Sequence, residues 1–295
     1  MKNMMFVFNP KSGKAKVKDK IYYIVDSFVK NGWSVRVHPT QAQNDAYEQI
    51  KNTGKKYNLI VASGGDGTLR ESIEGLMTIT KEKRPKLGYI PSGTVNDFAS
   101  ALKIPKSVKK AVQKIIDGEP LSCDIGLCNG ECFTYVAGFG LFTEVSYETS
   151  QNFKNVLGRV AYILTGVKSL ANVKSYKMKV KWDGGEAEEE FMLGLITNVD
   201  HVGGIKTKYN KNTEINDGLF ECILIKKPKS IVDFPVIVTE LLSSKLSDEY
   251  FVKFSSQNMS FESEEKIKWT LDGEFGGDNN RVNIEVIPNA VDIII

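Results

Sequence analysis

Three short glycine-containing phrases, each directly after an apolar run of strand character, constrain the fold of this chain most strongly. They are residues 9–14 (NPKSGK), 64–68 (GGDGT) and 91–98 (PSGTVNDF), and we call them the first, second and third glycine loops. Glycine lets the backbone approach a ligand closely, and a helix N-terminus presents unpaired N–H groups to an anion. Three such turns in order, mixing glycine with hydroxyls and carboxylates, predict a site for a nucleoside triphosphate.

Short strands and helices alternate over the first part of the chain. Residues 4–8, 59–62 and 87–90 are apolar runs of strand length, and segments with helical spacing of apolar residues separate them. This alternation predicts a parallel sheet with helices on its faces, a Rossmann-like α/β domain. Ligand-binding loops in such folds lie at the carboxyl ends of the strands, where all three glycine loops fall.

The pattern changes near Leu121, after which strands predominate. Residues 122–127 and 132–136 flank Asn129-Gly130, a strong signal for a β-hairpin. We therefore expect a mostly antiparallel second domain with one or two helices. One of these helices is predicted from an apolar face formed by Val156, Val160, Ile163, Leu164 and Val167.

Composition excludes several classes of protein. The 295 residues predict about two domains, and a formal net charge of +3 gives no argument for a nucleic-acid partner. With two histidines we expect neither a histidine metal site nor a catalytic triad, and the four cysteines lack metal-ligand spacing. We expect reduced thiols, with Cys128 and Cys132 as the one pair that could face each other across the hairpin. No apolar run has the length of a signal peptide or membrane span, so a cytoplasmic protein is expected.

Polar residues of the glycine loops suggest ligand contacts, each with a structural alternative. Lys11 or Lys14 could neutralise phosphate charge or lie in a solvated turn. Asp66 suits Mg²⁺ or a nucleotide hydroxyl, but it could also be a turn or N-cap residue. Glu71, expected in the first helical turn, could complement the helix dipole instead of touching ligand. Asp97 could contact the ligand or could cap a short helix.

Two acidic turns in the second part carry further candidates. Asp272-Gly273-Glu274 ends a strand and enters Gly276-Gly277, so we expect Glu274 on a glycine-rich loop. A glutamate there could act as a general base towards a hydroxyl group, although acidic turn residues are common. Residues 216–218 (NDG) form either a plain turn or a site for a hard cation.

Together these residues resemble the bacterial diacylglycerol kinase and sphingosine-kinase-like lipid kinase family. The resemblance covers nearly the whole chain and includes the three glycine loops, Asp124, residues 137–140 (AGFG) and residues 272–274 (DGE). GGDGT alone is shared with NAD kinases, whereas the ordered set is quite specific to the lipid kinases. The chain departs from the family at Arg70, where an asparagine is frequent.

The resemblance implies an ATP- and Mg²⁺-dependent lipid kinase that converts a lipid alcohol, foremost diacylglycerol to phosphatidic acid. Residues 1–122 would be the nucleotide-binding α/β domain, to which residues 288–295 would return. Residues 123–287 would form a C-terminal antiparallel β-sandwich that binds lipid. The enzyme would be cytoplasmic and peripherally associated with the inner face of the membrane.

The resemblance also implies roles for individual residues. Glu274 would accept the proton of the lipid hydroxyl. A charged network around metal and phosphates would comprise Lys14, Asp66, Asp97 and Asp124. A structural Mg²⁺ site would comprise Asp217, Asn216 and Leu219. The nucleotide would contact Asn9, Pro10, Lys11, Ser12, Gly13, Thr40, Gly65, Asp66, Gly67, Thr68, Leu69, Arg70, Glu71 and Thr94.

Partners and two rival functions stay open. Lysines 103, 106, 109 and 110 could meet anionic head groups, although a solvated helix face is the preferred interpretation. Edge strands of the second domain could pair two copies into a homodimer. One rival function is a soluble-substrate kinase related to NAD kinase, and the other is a nucleotide-binding regulatory protein without catalysis.

Overall fold

A computed structural model describes residues 2–15, 17–94, 96–140, 173–199, 201–202, 205–206 and 214–295. The chain divides into two compact units, one comprising Met1–Cys123 with Asn289–Ile295 and the other Asp124–Pro288. The helix predicted over residues 156–167 lies outside the described residues. Within the described residues, no helix has the length and apolar character needed to cross a bilayer.

A parallel sheet forms the centre of the first unit. Its strands are β1 (Lys2–Phe8), β2 (Trp33–Pro39), β3 (Leu59–Gly64) and β4 (Lys86–Pro91), in the spatial order β2-β1-β3-β4. The end of the last strand, β15 (Glu274–Ile294), pairs in parallel with β4, with Ile293 opposite Leu87. All six residues of β3 are buried. A strand covered on both faces is apolar along its whole length, which explains the unbroken run in the sequence.

Helices cover both faces of this sheet. They are α1 (Ile21–Lys30), α2 (Asp45–Thr53), α3 (Asp66–Met77), α4 (Asp97–Ala101) and α5 (Val108–Asp117). Phe28 of α1 and Val112 of α5 share one apolar cluster with Phe6 of β1. Gln49 of α2 reaches the sulfur of Met5, whose side chain points to the opposite face from Phe6. The alternating pattern of the sequence predicts this arrangement.

The second unit is an antiparallel β structure. Its strands are β5 (Pro120–Cys128), β6 (Glu131–Phe133), β7 (Val136–Gly140), β8 (Tyr176–Trp182), β9 (Gly185–Thr197), β10 (His201–Val202), β11 (Ile205–Lys206), β12 (Phe220–Lys226), β13 (Phe251–Ser256), β14 (Asn258–Leu271) and β15. Helix α6 (Phe234–Ser243) lies between β12 and β13 in the sequence.

Two long strands of the second unit change partners along their length. Both β9 and β14 pair with β8 over one part and with β7 over another. Strands that pass from one pairing to another in this way form the corners of packed antiparallel sheets. The core inside holds Phe139, Phe261 and Trp269, whose ring centroids are 5.0 Å (Phe139 to Trp269) and 5.2 Å (Phe261 to Trp269) apart.

The predicted hairpin between β5 and β6 is present. Asn129 and Gly130 have φ angles of 48° and 89°, as a two-residue turn of this kind requires. The register sets Cys128 opposite Glu131 and Cys132 opposite Leu127, so the two cysteines are not opposite each other, the possibility that the sequence had left open. All four cysteines are buried free thiols. Burial raises the pKa of Cys128 to about 12.

Candidate functional site

The three glycine loops meet at the carboxyl ends of β1, β3 and β4. A Cβ atom on Gly13, where φ is +52°, would overlap the carbonyl oxygen of Ser92. A Cβ atom on Gly93 would overlap the Cα of Gly65. Ser12 completes the group, because a Cβ on Gly65 would lie 3.9 Å from its Oγ. The loops therefore pack backbone against backbone, which requires glycine at positions 13 and 93.

Hydrogen bonds hold the first glycine loop to the ends of neighbouring strands. The Asn9 N–H donates to the carbonyl oxygen of Ser63 at 2.8 Å, and the Asn9 side chain accepts from the Lys11 N–H at 2.9 Å. The Thr40 N–H donates to the carbonyl oxygen of Phe8 at 2.9 Å. Asn9 and Thr40, both predicted to contact nucleotide, are thus brought to one edge of the sheet.

The second glycine loop ends in a helix N-terminus. Gly65 is the N-cap of α3 and Asp66 is its first residue, so Asp66 is not the N-cap. An Asp66 carboxylate oxygen accepts from the Asp97 N–H at 3.4 Å, which joins the second loop to the third. Gly67 is exposed, and a Cβ atom there would meet no atom within 4 Å. The open space above Gly67 and the first-turn N–H groups together form a place for an anion.

Tyr89 and Asn96 support these loops, and sequence reasoning selected neither as a functional residue. The Tyr89 hydroxyl lies 2.9 Å from the carbonyl oxygen of Gly64 and 3.2 Å from Asn96 Oδ1. Asn96 exchanges two hydrogen bonds with the Gly93 backbone instead of capping α4. Burial, and to a lesser degree the charge of Asp66, raises the pKa of Tyr89 well above its ordinary value. The phenol therefore stays protonated and donates.

Glu71 and Arg70 make contacts within the fold. Glu71 lies in the second turn of α3, not in the first as expected. Its two carboxylate oxygens accept from the N–H groups of Asn44 at 2.9 Å and Ala46 at 3.3 Å, so they satisfy the start of α2. Arg70 Nε lies 3.2 Å from a carboxylate oxygen of Glu74. Contacts of Glu71 and Arg70 with a nucleotide stay predictions.

The remaining predicted nucleotide contacts differ in exposure. Lys11 and Thr94 are exposed, and Pro10 is half-buried. Leu69 is fully buried and Thr68 nearly so, which leaves chiefly their backbone groups for a ligand. The side chain of Lys14 lies outside the described residues.

Glu274 lies in a tight hairpin of the second unit. Asp272 and Gly273 have φ angles of 51° and 87° and form a two-residue turn between β14 and β15. Glu274 is the first residue of β15 and pairs with Leu271. The prediction that Glu274 lies on a glycine-rich loop is therefore wrong. Asp272 and Gly273, both with positive φ, return the chain directly into the next strand. The Glu274 side chain is exposed.

Asp272 fixes the turn that carries Glu274. Its carboxylate accepts from the Thr134 N–H at 2.7 Å, the Thr134 hydroxyl at 2.8 Å, the Tyr135 N–H at 3.0 Å and the Val136 N–H at 3.1 Å. Burial raises the pKa of Asp272, and these four hydrogen bonds oppose that rise. In the sequence, a glycine after Asp272 indicates a turn. It does not indicate that groups of residues 134–136 donate hydrogen bonds to the Asp272 carboxylate.

Asp124 and the predicted metal turn lie together in the second unit. The buried Asp124 carboxylate accepts from the Gly218 N–H at 2.6 Å, and the Asp124 N–H donates to the Ile215 carbonyl oxygen at 2.9 Å. Each oxygen of the exposed Asp217 accepts a backbone N–H, one of them from Leu219 at 2.9 Å. The described residues contain no group of three His, Cys, Asp or Glu side chains able to hold a metal.

An oxygen-based site for a hydrated cation is still compatible with this turn. Mg²⁺ prefers oxygen ligands, keeps several waters and commonly takes only one or two carboxylates. Asn198 adds a second observation, because its Nδ2 donates to the Asp124 carbonyl oxygen at 3.1 Å. Its buried Oδ1 has no hydrogen-bond partner among the described residues. The oxygen atoms of Asp217, Asn216 and the Leu219 carbonyl are of the kind that Mg²⁺ takes as ligands.

Comparison with known proteins gives one consistent result along the chain. Residues 3–128 match the family described as the diacylglycerol kinase catalytic domain. Residues 137–295 match the YegS C-terminal NAD kinase beta sandwich-like domain. The chain thus has two domains, an N-terminal catalytic one and a C-terminal β-sandwich-like one.

Proteins similar to this chain are described as diacylglycerol kinases. A diacylglycerol kinase of Bacillus subtilis (strain 168) is 33% identical over 94% of this chain and 91% of its own length. One of Staphylococcus carnosus (strain TM300) is 31% identical over 94% and 90%, respectively. A crystal structure of a candidate diacylglycerol kinase from Bacillus anthracis str. Sterne has a TM-score of 0.82 and 25% identity, and the match covers 99% of this chain and 96% of that one.

Proposed function

This chain belongs to the diacylglycerol kinase family, and from that premise we propose that it transfers the γ-phosphoryl group of ATP to a lipid hydroxyl, converting diacylglycerol to phosphatidic acid. One observation carries the proposal: the three glycine loops converge on the N-terminus of α3, where Gly67 leaves open space for an anion. Phosphoryl transfer depends mainly on positioning and on stabilising phosphate charge, which such a cradle supplies.

The first unit binds the nucleotide as a Rossmann-like fold. N–H groups at Gly67 and Thr68 hold phosphate oxygens, since the first turn of a helix has no internal partners for them. Lys14 and Lys11 neutralise phosphate charge, and Asp66 and Asp97 provide carboxylates for the accompanying Mg²⁺. Bound Mg²⁺ supplies charge neutralisation at the phosphates.

Residues of the second unit complete the proposed chemistry. Glu274 accepts the proton of the lipid hydroxyl, for which an exposed carboxylate on a fixed turn is suited. Asp272 positions that turn through its four hydrogen bonds. Asp217, Asn216 and the Leu219 carbonyl hold a structural Mg²⁺, and Asp124 keeps their turn in place.

The substrate class sets the proposed location and partners. A kinase of membrane lipids works at the membrane, so we place the enzyme in the cytoplasm, bound peripherally to the inner face. Pairing of edge strands into a homodimer stays a prediction. Light scattering across a concentration series tests it.

The function is tested by phosphate transfer from labelled ATP with Mg²⁺ to a panel of lipid alcohols in mixed micelles. Glu274→Gln removes the proton acceptor, and Glu285→Gln, at another exposed glutamate of β15, is the matched control. We expect labelled phosphatidic acid from the wild-type protein and from Glu285→Gln. The product should fall by about a hundredfold or more in Glu274→Gln, the usual size of a general-base effect.

Three other outcomes would overturn parts of this proposal. Unchanged turnover in a folded, ATP-binding Glu274→Gln protein removes that residue from the reaction. Phosphorylation of NAD without lipid turnover supports the soluble-substrate kinase. ATP binding without turnover of any lipid or of NAD supports the regulatory protein.

A further inference from the structure

Helix α6 of the second unit is apolar on two faces. Its inner face buries Phe234, Ile237 and Leu241 almost completely. Its outer face leaves Val236 43% and Leu242 63% exposed, and Val232, in the turn before the helix, is 70% exposed. Large side chains exposed together on one helix side mark an interaction surface more often than chance placement does.

The exposed residues form one continuous stripe. They recur at the spacing of a single helix face, beginning in the short 3₁₀ turn Ile231–Asp233 that leads into the helix. We define the α6 stripe as Ile231, Val232, Pro235, Val236, Thr239, Leu242 and Ser243. None of its members carries a charge.

The acidic residues Asp233, just before the helix, and Glu240, within it, accept hydrogen bonds from serines. Asp233 accepts from the Ser230 N–H at 3.0 Å in a capping box. A carboxylate oxygen of Glu240 accepts from both the N–H and the hydroxyl of Ser247, each at 2.8 Å. Neither carboxylate interrupts the stripe.

Exposed lysines stand at both ends of the stripe. Lys229 precedes it and Lys245 follows it. Within the described part of the chain neither lysine forms an ion pair, whereas Lys226, Lys227 and Lys253 nearby pair with Glu189, Glu190 and Asp248. The stripe therefore combines an uncharged centre with an exposed lysine at each end.

A shallow surface cavity adjoins the C-terminal end of α6. It has a volume of about 400 Å³ and is lined by Ser244, Lys245, Leu246, Ser247 and Lys253. A lysine beside an apolar stripe suits a phosphate-bearing head group. Since Lys253 already pairs with Asp248 at 2.9 Å, Lys245 is the cation available for that contact.

We propose that the α6 stripe is the surface by which this protein docks on a membrane containing anionic phospholipid. The stripe lies at the level of the acyl-chain boundary, and Lys229 and Lys245 contact head groups on either side. Amphipathic helices with apolar and basic groups bind lipid interfaces in this way. This inference rests on the proposed function only in that a lipid substrate gives the protein a reason to dock on a membrane. Vesicle binding tests the docking surface without any measurement of phosphoryl transfer.

Charge argues against a second copy of the chain as the occupant. If two stripes met across a twofold axis with antiparallel helices, Lys229 of one copy would adjoin Lys245 of the other. With parallel helices each lysine would adjoin its own equivalent. Either arrangement brings like charges together at the rim of an apolar contact, which is unfavourable.

The test is sedimentation with phosphatidylcholine vesicles, with and without phosphatidylglycerol, in the absence of ATP. Two double variants address the stripe: Val232→Ser with Leu242→Ser, and Lys229→Glu with Lys245→Glu. Lys106→Glu with Lys110→Glu is the matched control, since these exposed lysines belong to the cluster at residues 103–110.

We expect both stripe variants to lose at least about tenfold in vesicle partitioning, since one surface lysine contributes about a fivefold factor. The control should bind as the wild-type protein does. Wild-type binding should require phosphatidylglycerol and weaken with salt. Turnover of a water-soluble short-chain diacylglycerol should be unchanged in all variants, which shows that they fold.

Four outcomes would overturn the proposal: wild-type partitioning by both stripe variants, loss only in the control, no vesicle binding by the wild-type protein, or dissociation of a dimer by the stripe substitutions. Failure of the proposed function gives a different pattern. Vesicle binding would then depend on the stripe although no lipid is phosphorylated.

Discussion

We expect the substitution Gly67→Ala to weaken nucleotide binding without lowering the stability of the protein. Gly67 is the second residue of α3, and a Cβ atom there would meet no atom within 4 Å apart from its chain neighbours and the backbone of its own helix. Alanine is favoured over glycine in a helix by up to about 1 kcal/mol. We therefore expect the melting temperature to stay constant or to rise by no more than about 4 °C.

The same methyl group should weaken ATP binding. It fills space next to the N–H groups that we assign to phosphate, and loss of one hydrogen bond to a charged group costs about 1.5–3 kcal/mol. The dissociation constant should rise at least about tenfold, since each 1.4 kcal/mol is one order of magnitude. Isothermal titration with a non-hydrolysable ATP analogue and Mg²⁺ measures it, and thermal unfolding measures stability.

Gly93→Ala is the contrasting variant. A Cβ atom on Gly93 would overlap the backbone of Gly65, so this variant should lose stability together with ATP binding. An unchanged ATP affinity in Gly67→Ala would refute the assignment of phosphate to the start of α3. A clear fall in its melting temperature would refute the inference that the space around Gly67 is open.

Three further predictions concern groups outside the proposed phosphate contacts. Tyr89→Phe removes a buried hydroxyl that bonds Gly64 and Asn96, so denaturant unfolding should show a loss of about 1 kcal/mol or more, and no loss would contradict that role. The four buried cysteines should resist a thiol reagent at mildly alkaline pH and react only after unfolding, because burial shields all four from the reagent and raises the pKa of Cys128 to about 12; rapid reaction of the native protein would contradict this. Hydrogen bonds, foremost from the Asn258 N–H, lower the pKa of Asp183, so its stabilising effect is present above the unfolded pKa of about 3.9 and lost as pH falls through the lower folded value. The stability gap between wild type and Asp183→Asn should therefore close in acid, and a gap independent of pH would refute that cause.

Most strands and helices of the first unit follow from local sequence. β3 and β4 are buried along nearly their whole length, so their apolar runs are visible without a partner. Glycine and an aspartate mark where α3 begins. In each case the local residues carry enough information to determine the element.

The second unit shows why strand lengths were harder to predict. β14 covers Asn258–Leu271, yet its alternating apolar residues stop at Phe261 and resume only at Ile267. Its middle residues, 264–266, are exposed and charged, so the period-2 pattern disappears there. The strand continues through that segment because residues on both sides of it pair with β15, with a register shift between Glu262 and Ile267. Such partners are invisible to local sequence.

Parts of the candidate site depend on distant contacts. Asp272 is fixed by N–H groups of residues 134–136, and Glu71 satisfies the start of α2. In both cases the carboxylate and its donors are more than twenty residues apart in the sequence. A single sequence identifies the acidic residue but not the group that it binds.

The backbone contacts among the glycine loops also bear on how the protein is made. Gly13 lies against Ser92, and Gly65 lies against Gly93, so a nascent chain cannot assemble the phosphate cradle before residue 93 has left the ribosome. Separate fragments that end earlier should have no affinity for ATP. Because the cradle exists only when three strands are aligned, a bound nucleotide would protect the whole first unit against unfolding and proteolysis rather than one loop.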